Sequence, residues 1–362
     1  MQRHLSDELE VSIATSLYPI VRWIARCAVT TVVVCSVVLS VDFKPNSELA
    51  SWLELVRFVP YPAYLLAALG AACLSLVLGW RWRLAALTGV GLVVIAVMGL
   101  AVGSVDSGSG RLRVMTYNIK SYHAVYRSDG LSHIAQEVTL HDPDIFVFQD
   151  SYGIADPIKD AHVSVQFLLR GRQWYSQGEY LVASRYPLRD CATGAIPYRG
   201  KKHTYVQQSY VRCTVVVDDT EIDLVTAHFL SPRDGLNSTR HDWFNGLAAW
   251  LDSYADRLTQ AELLANELAA GVRPMIVAGD FNAPEKSAVV GALLAAGLRD
   301  AFSSAGLGYG YTWGHSLRLG ISFFRIDHIL VSPTLGIRDC FIGGKEGSEH
   351  RPVIADLLLK KS

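Results

Sequence analysis

Met275-Ile276-Val277-Ala278-Gly279-Asp280-Phe281-Asn282-Ala283-Pro284 is an apolar run that ends in a glycine, an acid and an amide. Met275 to Gly279 predicts a strand, and its extended continuation puts Asp280 and Asn282, two residues apart, on the same side. The pattern recurs outward from this point. Met115-Thr116-Tyr117-Asn118, Asp144-Ile145-Phe146-Val147-Phe148-Gln149-Asp150, Thr226-Ala227-His228-Phe229, Arg325-Ile326-Asp327-His328 and Ser348-Glu349-His350-Arg351-Pro352 all place acids, amides or imidazoles at strand ends. Such groups, delivered from separate strands, can surround one divalent cation and one phosphoryl group, as metal-assisted phosphoester chemistry requires.

Between these motifs, strand and helix patterns alternate. Short runs rich in Val, Ile, Phe and Tyr predict strands over Arg113 to Tyr117, Ile145 to Phe148, Tyr180 to Ser184, Ser209 to Val217, Glu221 to His228, Met275 to Gly279 and Ile326 to Val331. Helical spacing or composition covers Leu131 to Leu140, Asp242 to Ala270 and Ser287 to Ala296. The expected architecture is a layered α/β domain with sheets inside and helices outside. His328, pointing away from Asp327 by strand alternation, reads as structural. Tyr311 and Trp313 read equally well as cleft lining and as packing.

The rest of the 362-residue chain is different in kind. Half of all residues are apolar, and the excess lies before residue 106. Phe58 to Trp80 and Leu84 to Val105 are uncharged and long enough to cross a bilayer, with Arg81-Trp82-Arg83 as the turn between them. Cys27 to Val41 is a shorter third segment that Trp23, Ile24 and a snorkelling Arg26 extend. A cleaved signal peptide is the rival reading of the first forty residues or so, but no small-x-small site follows. Arg3, Arg22, Arg26, Arg81 and Arg83 on the cytoplasmic side would leave only Lys44 and Arg57 in the first outer loop, with the domain after residue 110 facing outward. The expected organisation is a membrane anchor of two to three helices over 1–105, a small polar linker at 106–110 and a catalytic domain over 111–362.

A net charge of −1 gives no general pull toward nucleic acid, and Lys201-Lys202-His203 is a lone basic cluster best read as a solvated loop. Cys191, Cys213 and Cys340 fall in the domain without metal-ligand spacing. An oxidising compartment would allow a Cys191–Cys213 disulfide, and the odd third thiol leaves the pairing open.

In order and spacing, the six motifs resemble the endonuclease/exonuclease/phosphatase superfamily over about residues 111 to 358, as do Tyr180 to Pro187 and Gly308 to Trp313. The resemblance implies a four-layer α/β sandwich of two packed sheets. It also implies Asn118, Asp150 and Glu349 at a metal site for Mg2+ or Mn2+. Asp280 would orient or deprotonate the attacking water, and Asn282, with Asn118, would contact phosphate. His350 would stand beside the scissile phosphate with Asp327 fixing its tautomer, and His228 would steady the phosphate or protonate the leaving oxygen, with Glu179 as a candidate partner. The family usually has Glu where Asp150 stands and Asp where Glu349 stands, so one arm is shortened and the other lengthened.

These motifs describe the phosphate and not what it is attached to. Apolar spans before an outward-facing site favour a lipid-linked phosphate or phosphodiester, a layout similar to that of the family's teicoplanin-resistance membrane proteins in the bacterial cell membrane. A surface or periplasmic nuclease acting on nucleic acid is the second reading. A non-catalytic protein that binds or senses a phosphate ligand is the third.

Overall fold

The computed structural model describes residues 2–41, 48–154, 163–199, 205–206 and 208–359, with backbone alone at 2–17, 48, 109, 163–164, 205–206 and 243–245. Lys44 and Lys201-Lys202-His203 lie outside the described residues. The chain forms two compact units, Met1–Asp42 with Val59–Leu100, and Phe43–Phe58 with Ala101–Ser362.

Two helical stretches in the first unit, Tyr18–Ser40 and Trp80–Val97, are long and apolar enough to cross a membrane; a third counts only if Leu49–Arg57 and Tyr61–Ser75 are taken as one broken span. Cys27 to Val41 thus belongs to a longer helix. The expected Phe58–Trp80 span is not continuous. Pro60, at φ −52° and ψ 126°, starts a separate helix, Tyr61–Ser75, of 15 residues. At 1.5 Å per residue it reaches roughly 22 Å, short of the ~30 Å hydrocarbon layer. Nor does helix extend from Leu84 to Val105: Gly99 turns the chain at φ 72°, and Ala101–Val102 pairs as a short strand with Leu307–Gly308. Val29, Ala71 and Ala86 pack where the helices of this unit meet. Arg83 closes the turn by donating from Nη2 to the Leu76 carbonyl at 2.7 Å and from Nε to that of Leu78 at 3.1 Å. The Arg26 guanidinium lies 5.9 Å from the centre of the Trp82 ring.

The second unit is the four-layer sandwich that the sequence implies. One six-stranded sheet runs in the order Arg299–Asp300, Asp327–Val331, Met275–Asp280, Thr220–His228, Ser209–Val217, Leu188–Ala195. The other runs Leu335–Ile342, Val353–Leu359, Ser109–Asn118, Ile145–Gln149, Tyr180–Ser184, Gln173–Gln177. Alternation along each strand divides its side chains between layers. Ile145 and Val147 face Val215, Leu224 and Ile276 in the core between the sheets, whereas Phe146 and Phe148 pack outward on Ile134 and Val138 of the Gly130–His141 helix. On the far side Val225, Val277 and Leu330 pack with Ala261 and Leu264 of the Trp243–Ala269 helix and with Val289 and Leu293 of Ala288–Ala295. These residues are essentially solvent-free, and each buried aliphatic or aromatic side chain stabilises the fold by about 1.5–3 kcal/mol. Gln149 joins the sheets by donating from Nε2 to the hydroxyls of Thr226 at 2.9 Å and Thr116 at 3.1 Å.

The helix Glu48–Arg57, from the stretch that the sequence assigns to the anchor, packs in this second unit. Its Glu54 is fully buried and accepts a hydrogen bond from Ser287 and one from the Ala288 amide, 3.4 Å away. Ser287 also caps the Ala288–Ala295 helix by accepting from Val289. A disulfide joins Cys191 to Cys213, and Cys340 is buried and free.

Candidate active site

Strand register assembles the site. Parallel pairing sets His228 opposite Asp280, and antiparallel pairing sets Asp280 opposite Asp327, so an imidazole and two acids form one row across adjacent strands. In the other sheet Asn118 pairs with Gln149, which puts Asp150 one residue beyond the strand. Gly279 makes the row's close approach feasible: a Cβ there would lie 2.0 Å from the Ala227 carbonyl oxygen. Lys120, Asp150 and Asn282 hold φ of 42°, 51° and 49°, a left-handed conformation that costs a non-glycine residue on the order of 1–3 kcal/mol.

Asp280 is the hub. It is 1% exposed; its Oδ2 accepts from Asn118 Nδ2 at 2.9 Å and stands 3.5 Å from His228 Nε2 and 3.8 Å from His350 Nδ1. Its Oδ1 accepts from the Asn282 amide nitrogen at 2.9 Å. Burial, followed by the Asp327 charge, pushes the Asp280 carboxyl above the ordinary range, against the pull of His350 and His228. His350 Nδ1 sits 3.0 Å from Asp327 Oδ2. Burial opposes its charged form, yet Asp327 and Asp280 raise its pKa overall. His228 Nδ1 is 2.7 Å from Glu179 Oε2. Here too burial works against the charge, and the Glu179 hydrogen bond together with Glu179, Asp280 and Asp150 outweighs it, bringing the imidazole up to about 9.

Two clusters among the described residues have donor atoms close enough to share a cation: Asp150 with Glu179 and His228, and Asp280 with Asp327 and His350. Within the trio implied by resemblance, Asn118 and Asp150 lie in this region, while Glu349 is turned toward His123 and Arg127, at 3.2 and 3.6 Å. Burial raises and His123, Lys120 and Arg127 lower the Glu349 carboxyl, with a net shift downward. Asn282 donates from Nδ2 to the Phe229 carbonyl at 2.9 Å, which fixes its amide. His328 is structural: its ring nitrogens lie 2.8 Å from Asp300 and 3.0 Å from the Ala283 carbonyl. Trp313 stacks on Phe324 and bridges by its backbone to His350.

Sequence reasoning passed over Lys120. Its ammonium is buried and lies 3.2 Å from Asp150 Oδ2. Burial lowers and the Asp150 and Asp280 charges raise its pKa, with a net rise, while the Asp150 carboxyl falls below its usual range because His228 and Lys120 outweigh its burial. The available signal was spacing: Lys120 follows Asn118 by two residues, as Asn282 follows Asp280. His123 had no such signal, because its role comes only from the approach of Glu349.

An acid and imidazole row in one sheet faces amide and carboxylate donors from the other, an arrangement suited to phosphate-ester hydrolysis. A sequence model of the Endonuclease/Exonuclease/phosphatase family matches residues 115–350, more than half of the chain. The chain belongs to this family, whose members are generally divalent-metal-dependent hydrolases of phosphoester bonds. Among solved structures it is similar to an endonuclease/exonuclease/phosphatase from Beutenbergia cavernae (17% identity, 70% of this chain and 72% of that one, TM-score 0.52). It is also similar to family proteins from Bacteroides thetaiotaomicron (18%, 71% and 100%, 0.50) and Bacteroides vulgatus (16%, 70% and 100%, 0.50). At these identities the likeness concerns the fold. No curated protein matches the chain.

Proposed function

We propose that the protein is a membrane-anchored, divalent-metal-dependent phosphohydrolase or phosphodiesterase acting on a lipid-linked phosphate from an outward-facing site. The observation that carries the hydrolytic part is the His228–Asp280–Asp327 row with His350 seated on Asp327. Asp280 would take the proton of the attacking water, a role suited to a carboxyl whose basicity burial has increased. Asp327 fixes His350 at Nδ1, leaving Nε2 for the phosphate, and Glu179 does the same for His228, whose Nε2 would steady the phosphate or the leaving oxygen.

The donors suit a hard cation. Asn118, Asp150 and Glu349 would hold it, with Glu179 and His228 beside Asp150. Mg2+ or Mn2+ would supply polarisation of a phosphoryl oxygen. Glu349 would have to leave His123 and Arg127 to contribute.

Support for anchoring comes from the two apolar helices, Tyr18–Ser40 and Trp80–Val97. The Cys191–Cys213 disulfide supports an oxidising, outward compartment, and the Arg26–Trp82 contact, which gathers the arginines of both helices at one end, supports the same orientation. Anchoring of this kind would hold the site at a bilayer, where lipid-linked phosphates are.

The test is product release by full-length protein in detergent with Mg2+ or Mn2+ from a polyprenyl pyrophosphate, phospholipids, inositol phosphates and DNA, with Asp280→Ala as the blank. Turnover of lipid substrates alone, abolished by EDTA and by the substitution, is expected. DNA cleavage alone would make the protein a tethered nuclease, and binding without turnover would make it a phosphate sensor.

A further inference from the structure

The loop that carries Asp280 and Asn282 is gripped at consecutive carbonyls by two buried nitrogen groups. His328 Nε2 lies 3.0 Å from the Ala283 oxygen, and Arg257 Nη1 donates to the Asn282 oxygen at 3.5 Å. His328 is itself held by Asp300, onto which Arg325 closes at 2.7 Å. Arg257 is stranger. It is fully buried, its Nε and Nη2 have no hydrogen-bond partner among the described residues, and its guanidinium lies 5.2 Å from the ring centres of both Phe58 and Trp250. Burial lowers its pKa, and Glu54 is the first group that counters this. Glu54 Oε1 is 4.0 Å from Arg257 Nη1 and is likewise fully buried.

A buried guanidinium whose donors are unmet among the described residues costs stability. Its opposite charge and one of its two aromatic faces come from residues 48–58, which precede the sandwich by many residues and lie between two apolar helices. We propose that this segment is a working part of the catalytic scaffold: Glu54 and Phe58 place Arg257, and Arg257, with His328, sets the backbone of the Asp280–Asn282 loop. Arg257 is thus a positioning residue that never touches substrate. The proposal rests on the hydrolase reading for its effect on turnover but not for its effect on the loop.

The test compares full-length wild type, Arg257→Met, Arg257→Lys, Glu54→Gln and the double variant Glu54→Gln/Arg257→Met, all in detergent. Amide hydrogen exchange of peptides spanning residues 279–290 is measured beside thermal stability and turnover of bis-p-nitrophenyl phosphate. Methionine fills the slot between the rings without the charge, so Arg257→Met is expected to speed exchange there about tenfold. It should lower kcat about 10- to 100-fold, the scale of a displaced reacting group, with KM little changed. Arg257→Lys should recover most of both. The double variant removes the Glu54–Arg257 pair and also takes the carboxylate from Arg57, whose Nη1 lies 3.8 Å from Glu54 Oε2, so it should stay less stable than wild type and lose loop protection as Arg257→Met does. Unchanged exchange and kcat in Arg257→Met would overturn the proposal. So would exchange raised evenly across the whole unit with no recovery by lysine, which would leave Arg257 a stability role only. If wild type turns over nothing, the hydrolase reading fails, and the exchange data alone still decide the proposal.

Discussion

Asp280 accepts hydrogen bonds from Asn118 and from the Asn282 backbone while flanked by two imidazoles, so its replacement disturbs several groups at once. Asp280→Asn keeps the shape but removes the base, and kcat is expected to fall ~100- to 10,000-fold. His228 offers a pH test. A histidine raised to about 9 in the fold, against ~6.5 when unfolded, contributes stability that is full below pH ~6.5 and lost as pH rises through the folded value. In metal-free protein, the melting-temperature difference between wild type and Glu179→Gln should therefore be largest at mildly acidic pH and vanish above about pH 9. A pH-independent difference would assign Glu179 to packing. At this scale the motifs pointed to residues that lie close together, Asp280 with His228, Asp327, His350 and Asn118, but not to the turn of Glu349 toward His123 and Arg127. The sequence was silent on Lys120, His123 and Arg257, because their roles depend on what approaches them across tens or hundreds of residues.

Strands were legible in proportion to how fully they are buried. Tyr180–Ser184 and Ser209–Val217 match their predicted bounds, and Ser287 is found as the cap of its helix. Gln173–Gln177 and Leu188–Ala195 were missed because they are outer strands with mostly exposed side chains. Leu335–Ile342 was missed because a bulge between Ile337 and Asp339 breaks its alternation. In Val353–Leu359 an acid, Asp356, interrupts the apolar run, and its pairing with Arg113 at 2.7 Å and Arg111 at 3.2 Å explains it. Two predictions belong to elements. Gly279→Ala forces a methyl against the Ala227 carbonyl and should separate the His228 and Asp280 strands, costing about 1–3 kcal/mol in chemical denaturation and most of the activity. The Cys191–Cys213 link closes a loop of 22 residues, and its double replacement by serine should lower stability by about 3 kcal/mol. Reduction by dithiothreitol should match that loss.

Whole-molecule behaviour turns on residues 43–58 belonging with 101–362. Composition could not reveal this, because Phe58 begins an apolar run in the sequence while its ring packs on Trp250 at 5.5 Å. A truncated chain starting at Ala101 removes Glu54 and uncovers Arg257. Loss of one partner from a buried ion pair costs about 3–5 kcal/mol, so the truncated protein should melt well below the full-length chain and be less active, as differential scanning fluorimetry and turnover would record. Equal stability would mean that the Glu48–Arg57 helix is dispensable.

The strand Val353–Leu359 lies between Leu335–Ile342 and Ser109–Asn118, and it pairs with both. A ribosome makes the chain in the opposite sense to this closure: the strand that ends in Asn118 emerges early and waits for its neighbour until more than two hundred residues have followed. His350 emerges just before that neighbour. The candidate site is therefore incomplete until this stretch has been made, and a product released between Asp327 and His350 carries Asp280 and Asp327 without the imidazole that pairs with them.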